Sequence, residues 1–333
     1  MWKFCLALTA LLITPVSASE LDLRPIVDKH ILPGYQGLAD RSADLSASAK
    51  ANCGADLEKV KNAYHLAFDA WVGVSHLRFG PSEIRDRAYA LAFWPDTKGF
   101  TPKSLSSLLR TGDAAIHDLE QFQTVTIAAR GFYALDFLFY DAAFTKRPDP
   151  NYCALVQVIS ADIAANSAAI LQDWQTDYAD RIAVPGNDTY RTWSEAAQQL
   201  FTSLTTGLEF TAQSRLGRPM GSFSRPRPNR AEARRSGRSL RHVALSLAAT
   251  RDLAVLMSGG AAEFDADIDA SFERAIKLAA ELDDPTLAGV SQMQGRIRIE
   301  ALQGAITMIT EQLALNLGPK LGIAAGFNAL DGD

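Results

Sequence analysis

The sequence predicts an all-α protein built from helical bundles. Apolar residues recur at steps of three and four along much of the chain, which places them on one face of a helix. Breaks that contain glycine and proline divide the chain into long segments with short joints, and strict period-two alternation is missing. Long antiparallel helices with short connections pack as bundles. A chain of 333 residues is long enough for two packed units, each with its own core.

The first eighteen residues have the pattern of a secretory signal peptide. Lys3 supplies the positive start, an apolar run follows, and Val16-Ser17-Ala18 offers the small residues that a signal peptidase requires. The apolar run is too short to anchor the chain in a membrane. We therefore expect residues 1–18 to be cleaved near Ala18, and the mature chain to be soluble and periplasmic, with no membrane span.

Charge and cysteine content agree with export. The formal net charge of −5 argues against nucleic acid as a bulk partner. Cys5 leaves with the signal, so Cys53 and Cys153 remain, and in an oxidising compartment they are expected to form one disulfide. Such a bond would close a loop of about a hundred residues and contribute roughly 4–5 kcal/mol in the chain-entropy description. Two buried free thiols are the alternative.

The individual helices follow from periodicity and breaks. The clearest begins near Asp56, keeps steps of three and four as far as Val74, and is stopped by Gly80-Pro81. Residues 81–120 read as a loop with short helices, and 218–230 as an irregular segment because its prolines do not fit a helix. Asp188 or Thr189 is the expected cap of the helix that follows Pro185-Gly186. The other predicted helices are 24–52, 124–141, 152–183, 189–215, 238–257, 262–282 and 285–317.

The central helix carries an unusual carboxylate. Between Gly131 and Tyr140 bulky apolar residues fall on every side of the helix, which predicts burial of most of its surface. Asp136 lies in the middle, three residues after Tyr133, so the carboxylate and the phenol share one face. A buried carboxylate must meet a cation, a metal or several hydrogen-bond donors.

Five phrases, taken in order, carry a family resemblance. They are Arg78-Phe79-Gly80-Pro81, Phe93-Trp94-Pro95-Asp96-Thr97-Lys98-Gly99, Gly131-Phe132-Tyr133-Ala134-Leu135-Asp136-Phe137, Arg235-Ser236-Gly237-Arg238-Ser239-Leu240 and Gly326-Phe327-Asn328-Ala329-Leu330-Asp331-Gly332-Asp333. No single phrase is specific, but the ordered set extends over nearly the whole mature chain. In this set the sequence resembles the imelysin family of exported bacterial proteins.

The resemblance implies two helical bundles that share a cleft, here an N-terminal bundle over 19–145 and a C-terminal bundle over 146–333. It also implies a Gly-x-His-x-x-Glu signature on the central helix. Gly131 matches the glycine, whereas Tyr133 stands in place of the histidine and Asp136 in place of the glutamate. The family takes its name from a peptidase, and other members are linked to iron uptake or iron-regulated expression.

The two replacements change the metal chemistry of the signature. A neutral imidazole offers zinc a lone pair at pH 7, whereas a phenol must lose its proton to the metal that it binds. Tyrosinate is a ligand of ferric iron. Tyr133 and Asp136 are therefore candidate ligands of an iron ion, and the alternative is a structural hydrogen-bonded pair.

Each of the remaining groups of polar residues has a structural interpretation as well as a functional one. His117 with Glu120, and His65 with Asp69, have helical spacing and are interpreted as surface pairs. Nine arginines lie between 215 and 241, with Glu232 as the only acid. They form either a surface for an anion or partner, or a solvated segment with two arginines turned inward.

A ligand-binding cleft is predicted around the central helix. Arg238, on the helix opened by Ser236, and Arg78 are the candidate partners of Asp136, because an arginine fork suits a buried carboxylate. Trp94 and Asp96, held by the proline between them, either line a small-ligand cleft or plug the bundle. The predicted cleft residues are Arg78, Trp94, Asp96, Tyr133, Asp136, Ser236 and Arg238.

These observations lead to three hypotheses of function. The first is a non-catalytic periplasmic binding protein connected with iron or metal acquisition, whose partners are a small ligand or metal ion and other envelope proteins. The second is a metallopeptidase of the imelysin type, which the missing signature histidine argues against. The third is a structural or interaction protein that keeps the fold with an emptied site.

Overall fold

A computed structural model describes residues 21–145 and 149–323. The predicted signal peptide and the phrase that ends at Asp333 lie outside these residues. The described chain is helical, and its extended pairing is limited to one isolated bridge between Ser222 and Arg225. The long helices are α1 (Leu32–Asn52), α2 (Leu57–Val74), α3 (Phe100–Thr111), α4 (Gly131–Tyr140), α5 (Tyr152–Asp173), α6 (Trp193–Glu209), α7 (Ser239–Met257), α8 (Ala266–Leu282) and α9 (Met293–Gln312). The all-α prediction is confirmed.

Helix α2 shows how the sequence sets these elements. The Asp56 side chain accepts a hydrogen bond from the Lys59 backbone N–H and caps the helix. Tyr64, Phe68 and Trp71, spaced by four and three residues, are buried along one face. This face packs against α1 and contacts α7, so a single apolar stripe joins the early and late parts of the chain.

Cys53 and Cys153 form the predicted disulfide. Their Cα atoms are 5.7 Å apart, and the bond links positions separated by 100 residues. Cys53 immediately follows α1 and Cys153 lies in the first turn of α5, two helices that pack side by side. The bond therefore fastens the end of one core helix to the start of another.

The packing of α5 bears on how the chain divides. This helix contacts α1 and α4, whereas α6 to α9 pack mainly on one another. By these contacts α5 lies with the first group of helices, although residues 146–333 were assigned to the second bundle from sequence. The buried apolar residues of both groups form one continuous cluster. The arrangement is consistent with two bundles that share a core.

The segment Tyr152–Ala183 is long and apolar enough to cross a membrane by length and composition alone. In this fold it is a core helix. Leu155, Ile159 and Ile163 have no exposed surface, and Asp162 inside it is paired with Arg130 through two hydrogen bonds of 2.7 and 2.8 Å. Packing against protein accounts for its apolar character.

Two helices of the site differ from their predicted bounds. Helix α6 begins after Thr192, whose hydroxyl accepts from the Glu195 N–H, rather than at Asp188 or Thr189. Beyond Glu209 it continues as a π-helical segment, Phe210–Leu216. Such wider turns interrupt the regular hydrogen-bond pattern and often occur at functional sites.

The central helix is shorter than the predicted 124–141. It begins at Gly131, whose φ is +75°, directly after a 3-10 turn over Ile127–Ala129. A Cβ atom at Gly131 would overlap the backbone carbonyl oxygens of Ala90 and Leu91. The helix therefore starts where only glycine fits, and this close approach fixes the position of the helix against the Arg87–Leu91 turn.

Gly131→Ala is expected to lower the free energy of unfolding by at least about 2 kcal/mol, because alanine meets both the left-handed backbone and the carbonyl overlap. Gly37→Ala is the matched control. A methyl group there meets no atom within 4 Å inside α1, so we expect a gain of roughly 0.5–1 kcal/mol. Urea unfolding of both variants measures the difference, and a tolerated Gly131→Ala would contradict this account.

Candidate functional site

The site is organised by a buried ion pair between Arg215 and Glu232. The phenol of Tyr133, on the central helix, is hydrogen-bonded to this pair. The Tyr133 hydroxyl donates a hydrogen bond to Glu232 Oε1, and Arg215 Nε donates to Glu232 Oε2 at 2.7 Å. Arg215 and Glu232 are only 3% and 2% exposed. Two opposite charges held this deep must satisfy each other, since either one alone would be costly to bury.

The rest of the Arg215 guanidinium is also satisfied. Its Nη1 donates to the hydroxyls of Thr211 and Ser246 at 3.0 and 3.2 Å, and Nη2 donates to the Ser75 hydroxyl at 3.3 Å. Thr211 and Arg215 both lie in the π-helical segment, whereas Ser75 follows α2 and Ser246 lies in α7. One side chain thus ties three helical elements together.

The surroundings keep Glu232 ionised. Burial alone would raise the pKa of this carboxyl, but the charge of Arg215 and the contact with His242 hold the pKa well below its usual range. His242 Nδ1 lies 3.2 Å from Glu232 Oε2, a contact whose geometry falls outside that of a hydrogen bond. Burial lowers the pKa of His242, so the imidazole is neutral.

Arg238 extends this network to α2. Its Nε donates to His242 Nε2 at 3.1 Å and its Nη1 donates to His65 Nδ1 at 2.8 Å, while Nη2 contacts Asp69. Because arginine can only donate, both accepting ring nitrogens are unprotonated. The remaining proton of His65 lies on Nε2, 2.7 Å from the Tyr140 hydroxyl. The interpretation of His65 and Asp69 as a surface pair is therefore wrong.

Asp136 has partners other than the predicted ones. It is 2% exposed, and its Oδ1 accepts from the Ser236 hydroxyl at 2.5 Å and from the Tyr64 hydroxyl at 3.4 Å. Burial raises the pKa of Asp136. The expected arginine fork is not formed, because Arg238 is directed to Asp69 and the Arg78 guanidinium pairs with a neighbouring glutamate.

A cavity of about 650 Å³ lies beside Tyr133, with walls from both groups of helices. Three predicted residues line it: Arg78, Trp94 and Tyr133. The structure brings Asp136, Ser236 and Arg238 together in the network behind this wall rather than in the lining. Asp96 lies elsewhere, since its carboxylate accepts from the Phe100 and Thr101 N–H groups and caps α3.

The signature donors do not fit a bare metal ion. Burial, followed by the charge of Glu232, raises the pKa of Tyr133 well above its usual value, so the phenol keeps its proton and donates a hydrogen bond to Glu232. Asp136 is engaged separately with hydroxyl groups. In residues 21–145 and 149–323, no group of three or more histidine, cysteine, aspartate and glutamate side chains is arranged to hold a metal.

Sequence reasoning missed the residues at the centre of the site. Glu232 was noted only as the single acid among nine arginines, and Arg215 as the first of them. The single acid in this segment was the available signal, because a buried arginine needs a carboxylate partner. Two of the arginines, Arg215 and Arg238, are indeed buried. Nothing in the sequence marked His242 as a site residue. Some of its partners are distant in the sequence, and the others come close to it only through the helical turn of α7.

Glu232→Gln keeps the shape of the side chain but removes its charge. At pH 7 we expect the free energy of unfolding to fall by about 3–5 kcal/mol, because Arg215 is left buried without a counter-charge. The pKa of Glu232 is depressed in the fold. Its contribution is therefore complete above the unfolded pKa of about 4.3 and is lost as the pH falls through the folded pKa.

Urea unfolding of wild type and variant between pH 7 and about pH 2 should show the two stabilities well separated down to about pH 4 and converging only below it. Glu58→Gln is the control, since it makes the same change in an exposed pair with Lys61 and should cost at most about 1 kcal/mol. A Glu232→Gln variant as stable as this control would show that the buried pair has been misjudged.

Comparison with known proteins places this geometry in a family. The Imelysin family profile matches residues 31–313. Iron-regulated protein A of Synechococcus elongatus is 22% identical over 210 residues, which covers 60% of this chain and 54% of that protein. The chain therefore spans about half the length of this curated relative.

Solved structures share the fold. An imelysin-like protein of Psychrobacter arcticum superposes with a TM-score of 0.78 at 20% identity, covering 95% of this chain and 100% of the other. A chain of Parabacteroides distasonis, named as an iron-regulated protein A precursor, superposes with a TM-score of 0.76 at 13% identity, covering 90% and 94%. With the profile match extending over most of the sequence, the chain belongs to the imelysin family.

Proposed function

We propose that this protein is an exported, non-catalytic binding protein connected with iron acquisition, and that its ligand occupies the cavity beside Tyr133. The observation that carries the proposal is the state of the signature positions. Tyr133 and Asp136 are both bonded to groups of the protein, while a cavity of about 650 Å³ opens next to Tyr133. This volume lies within the range of small-molecule sites.

A metallopeptidase would need a different arrangement. Hydrolysis at such a site requires a metal with an open position and a group that activates water. Here the phenol at the histidine position holds its proton against Glu232, and the carboxylate at the glutamate position lies behind the cavity wall. The third hypothesis, an emptied site, is less favoured because a lined cavity remains beside Tyr133.

The connection with iron rests on relatives. Iron-regulated protein A is the name of a relative that shares 22% identity, and a structural neighbour carries the same name as a precursor. Export to the periplasm is supported by the signal pattern of residues 1–18 and by the Cys53–Cys153 disulfide, which suits an oxidising compartment. A small ligand and other envelope proteins remain the predicted partners.

Metal analysis of the protein purified from its native periplasm tests the proposal. We expect iron at a near-stoichiometric level, without zinc, and a mature chain that begins after Ala18. Trp94→Ala, which alters the cavity lining, should lower the iron content several-fold. Trp193→Phe is the control, because Trp193 donates its Nε1–H to Leu21 and is not a residue of the cavity lining.

Two results would overturn the proposal. One is zinc in place of iron, lost in Tyr133→Phe. The other is proteolysis of a protein substrate that a chelator and Asp136→Asn both block, which would restore the peptidase hypothesis.

A further inference from the structure

The cavity wall is rich in aromatic faces that the fold leaves partly uncovered. Trp94 is half-buried, and Tyr89 and Phe210 are 47% and 38% exposed although both are large rings. Trp94 stacks on Tyr133 with an interplanar angle of 27° and meets Phe210 edge to face. These rings form a wall of fixed orientation along the cavity, which suits stacking of a flat molecule.

Guanidinium groups lie on the same rings. The Arg78 guanidinium is 4.7 Å from the Tyr89 ring centre, Arg215 is 4.9 Å from that of Phe210, and Arg218 is 5.7 Å from that of Trp94. Such pairs hold the planar cation parallel to or above the ring. The wall therefore combines aromatic rings with guanidinium groups, and the carboxylates of Glu209 and Glu232 belong to the same lining.

Arg218 differs from the other two arginines. Arg215 is matched by Glu232 and Arg78 by Glu83. The Nε atom of Arg218 is buried and has no hydrogen-bond partner in the described part of the chain. Its neighbouring charge is a second cation, Arg230, which together with burial lowers the pKa of Arg218. A buried donor beside a like charge is the environment that an anion would relieve.

His76 places an unsatisfied atom in the cavity lining itself. It is 3% exposed and lines the cavity, and its Nε2 lies 3.0 Å from His30 Nε2. The other ring nitrogen, Nδ1, is buried without a hydrogen-bond partner among the residues described. Native proteins seldom leave such atoms unpaired, so a polar group of a ligand or an ordered water is expected there.

We propose that the cavity binds a planar aromatic anion of the hydroxybenzoate or catecholate class, and that iron enters it as the chelate of such an anion. The ring stacks on Trp94 and turns its edge to Phe210, because these two rings are nearly perpendicular. The anionic group meets Arg218, whose guanidinium lies over the Trp94 ring at the border of the cavity. A bare ferric ion would find no group of three or more histidine, cysteine, aspartate or glutamate side chains arranged to hold it in the described part of the chain. The part that concerns iron rests on the proposed function, whereas the ligand chemistry does not.

Calorimetric titration of the mature protein tests the inference. The probes are 2,3-dihydroxybenzoate, its ferric complex, citrate and ferric citrate. We expect both aromatic probes to bind and both aliphatic ones to bind at least about tenfold more weakly, because citrate carries the charge without a ring. Equal binding of citrate and 2,3-dihydroxybenzoate would overturn the aromatic assignment, as would no binding of any probe.

Variants locate the site. Arg218→Gln and Trp94→Leu should each weaken 2,3-dihydroxybenzoate about tenfold, and Arg218→Lys should weaken it less because the charge is kept. Arg225→Gln is the control, since it removes the same charge from an exposed position in the same arginine-rich segment. Equal losses in Arg218→Gln and Arg225→Gln would show diffuse electrostatic attraction and refute a specific contact.

The outcome separates this inference from the proposed function. Iron in the native protein without affinity for either aromatic probe would reject the aromatic ligand and leave the iron connection standing. Binding of free 2,3-dihydroxybenzoate by a native protein that carries no iron would do the reverse.

Discussion

The buried pair of Arg215 and Glu232 is the interaction on which the rest of the site depends. Both charged side chains are almost completely buried, so each requires the other at a fixed position. Arg215 donates its remaining hydrogen bonds to Ser75 after α2, to α7 and to the π-helical segment, and Glu232 accepts a hydrogen bond from Tyr133 of the central helix. The pair thus connects the two groups of helices at the cavity that lies between them. It also holds the wall around Tyr133 in a fixed position.

The two carboxylates near the central helix solve the same problem in opposite ways. Glu232 is kept charged by a full guanidinium partner, and its pKa falls. Asp136 receives hydroxyl donors from Ser236 and Tyr64 instead, and burial raises its pKa. Burial disfavours charge in both cases, so the difference lies in the partner. The arginine expected at Asp136 is used by Asp69, which also binds Arg241.

Much of the fold was accessible from sequence because it is encoded locally. The periodicity of apolar residues predicted the bounds of α2 almost to the residue, and the number of cysteines predicted the disulfide. The start of the central helix was not accessible, since residues 124–130 carry no proline or glycine, and the break at Gly131 arises from the approach of the Ala90 and Leu91 carbonyls. Burial of Asp136 followed from its apolar neighbours, but its partner is 100 residues away. A hydrophobic pattern predicts which face of a helix is buried, but it does not identify the residues that pack against that face.

The replacement at the signature has a consequence for what the cavity can hold. A phenol at position 133 keeps its proton at neutral pH and donates a hydrogen bond to Glu232, so this part of the wall lacks the lone pair that a neutral imidazole would offer. The polar side chain that the central helix could offer to a ligand is therefore already hydrogen-bonded within the protein. The cavity lining also contains aromatic rings, the buried nitrogen of His76 and the charged side chains of Arg78 and Glu209. Arg218 lies next to this lining, over the ring of Trp94. The tyrosine at the signature position thus removes a neutral nitrogen ligand from the wall, and in the proposed mode of binding the recognition of the ligand falls to the rings and to Arg218 instead.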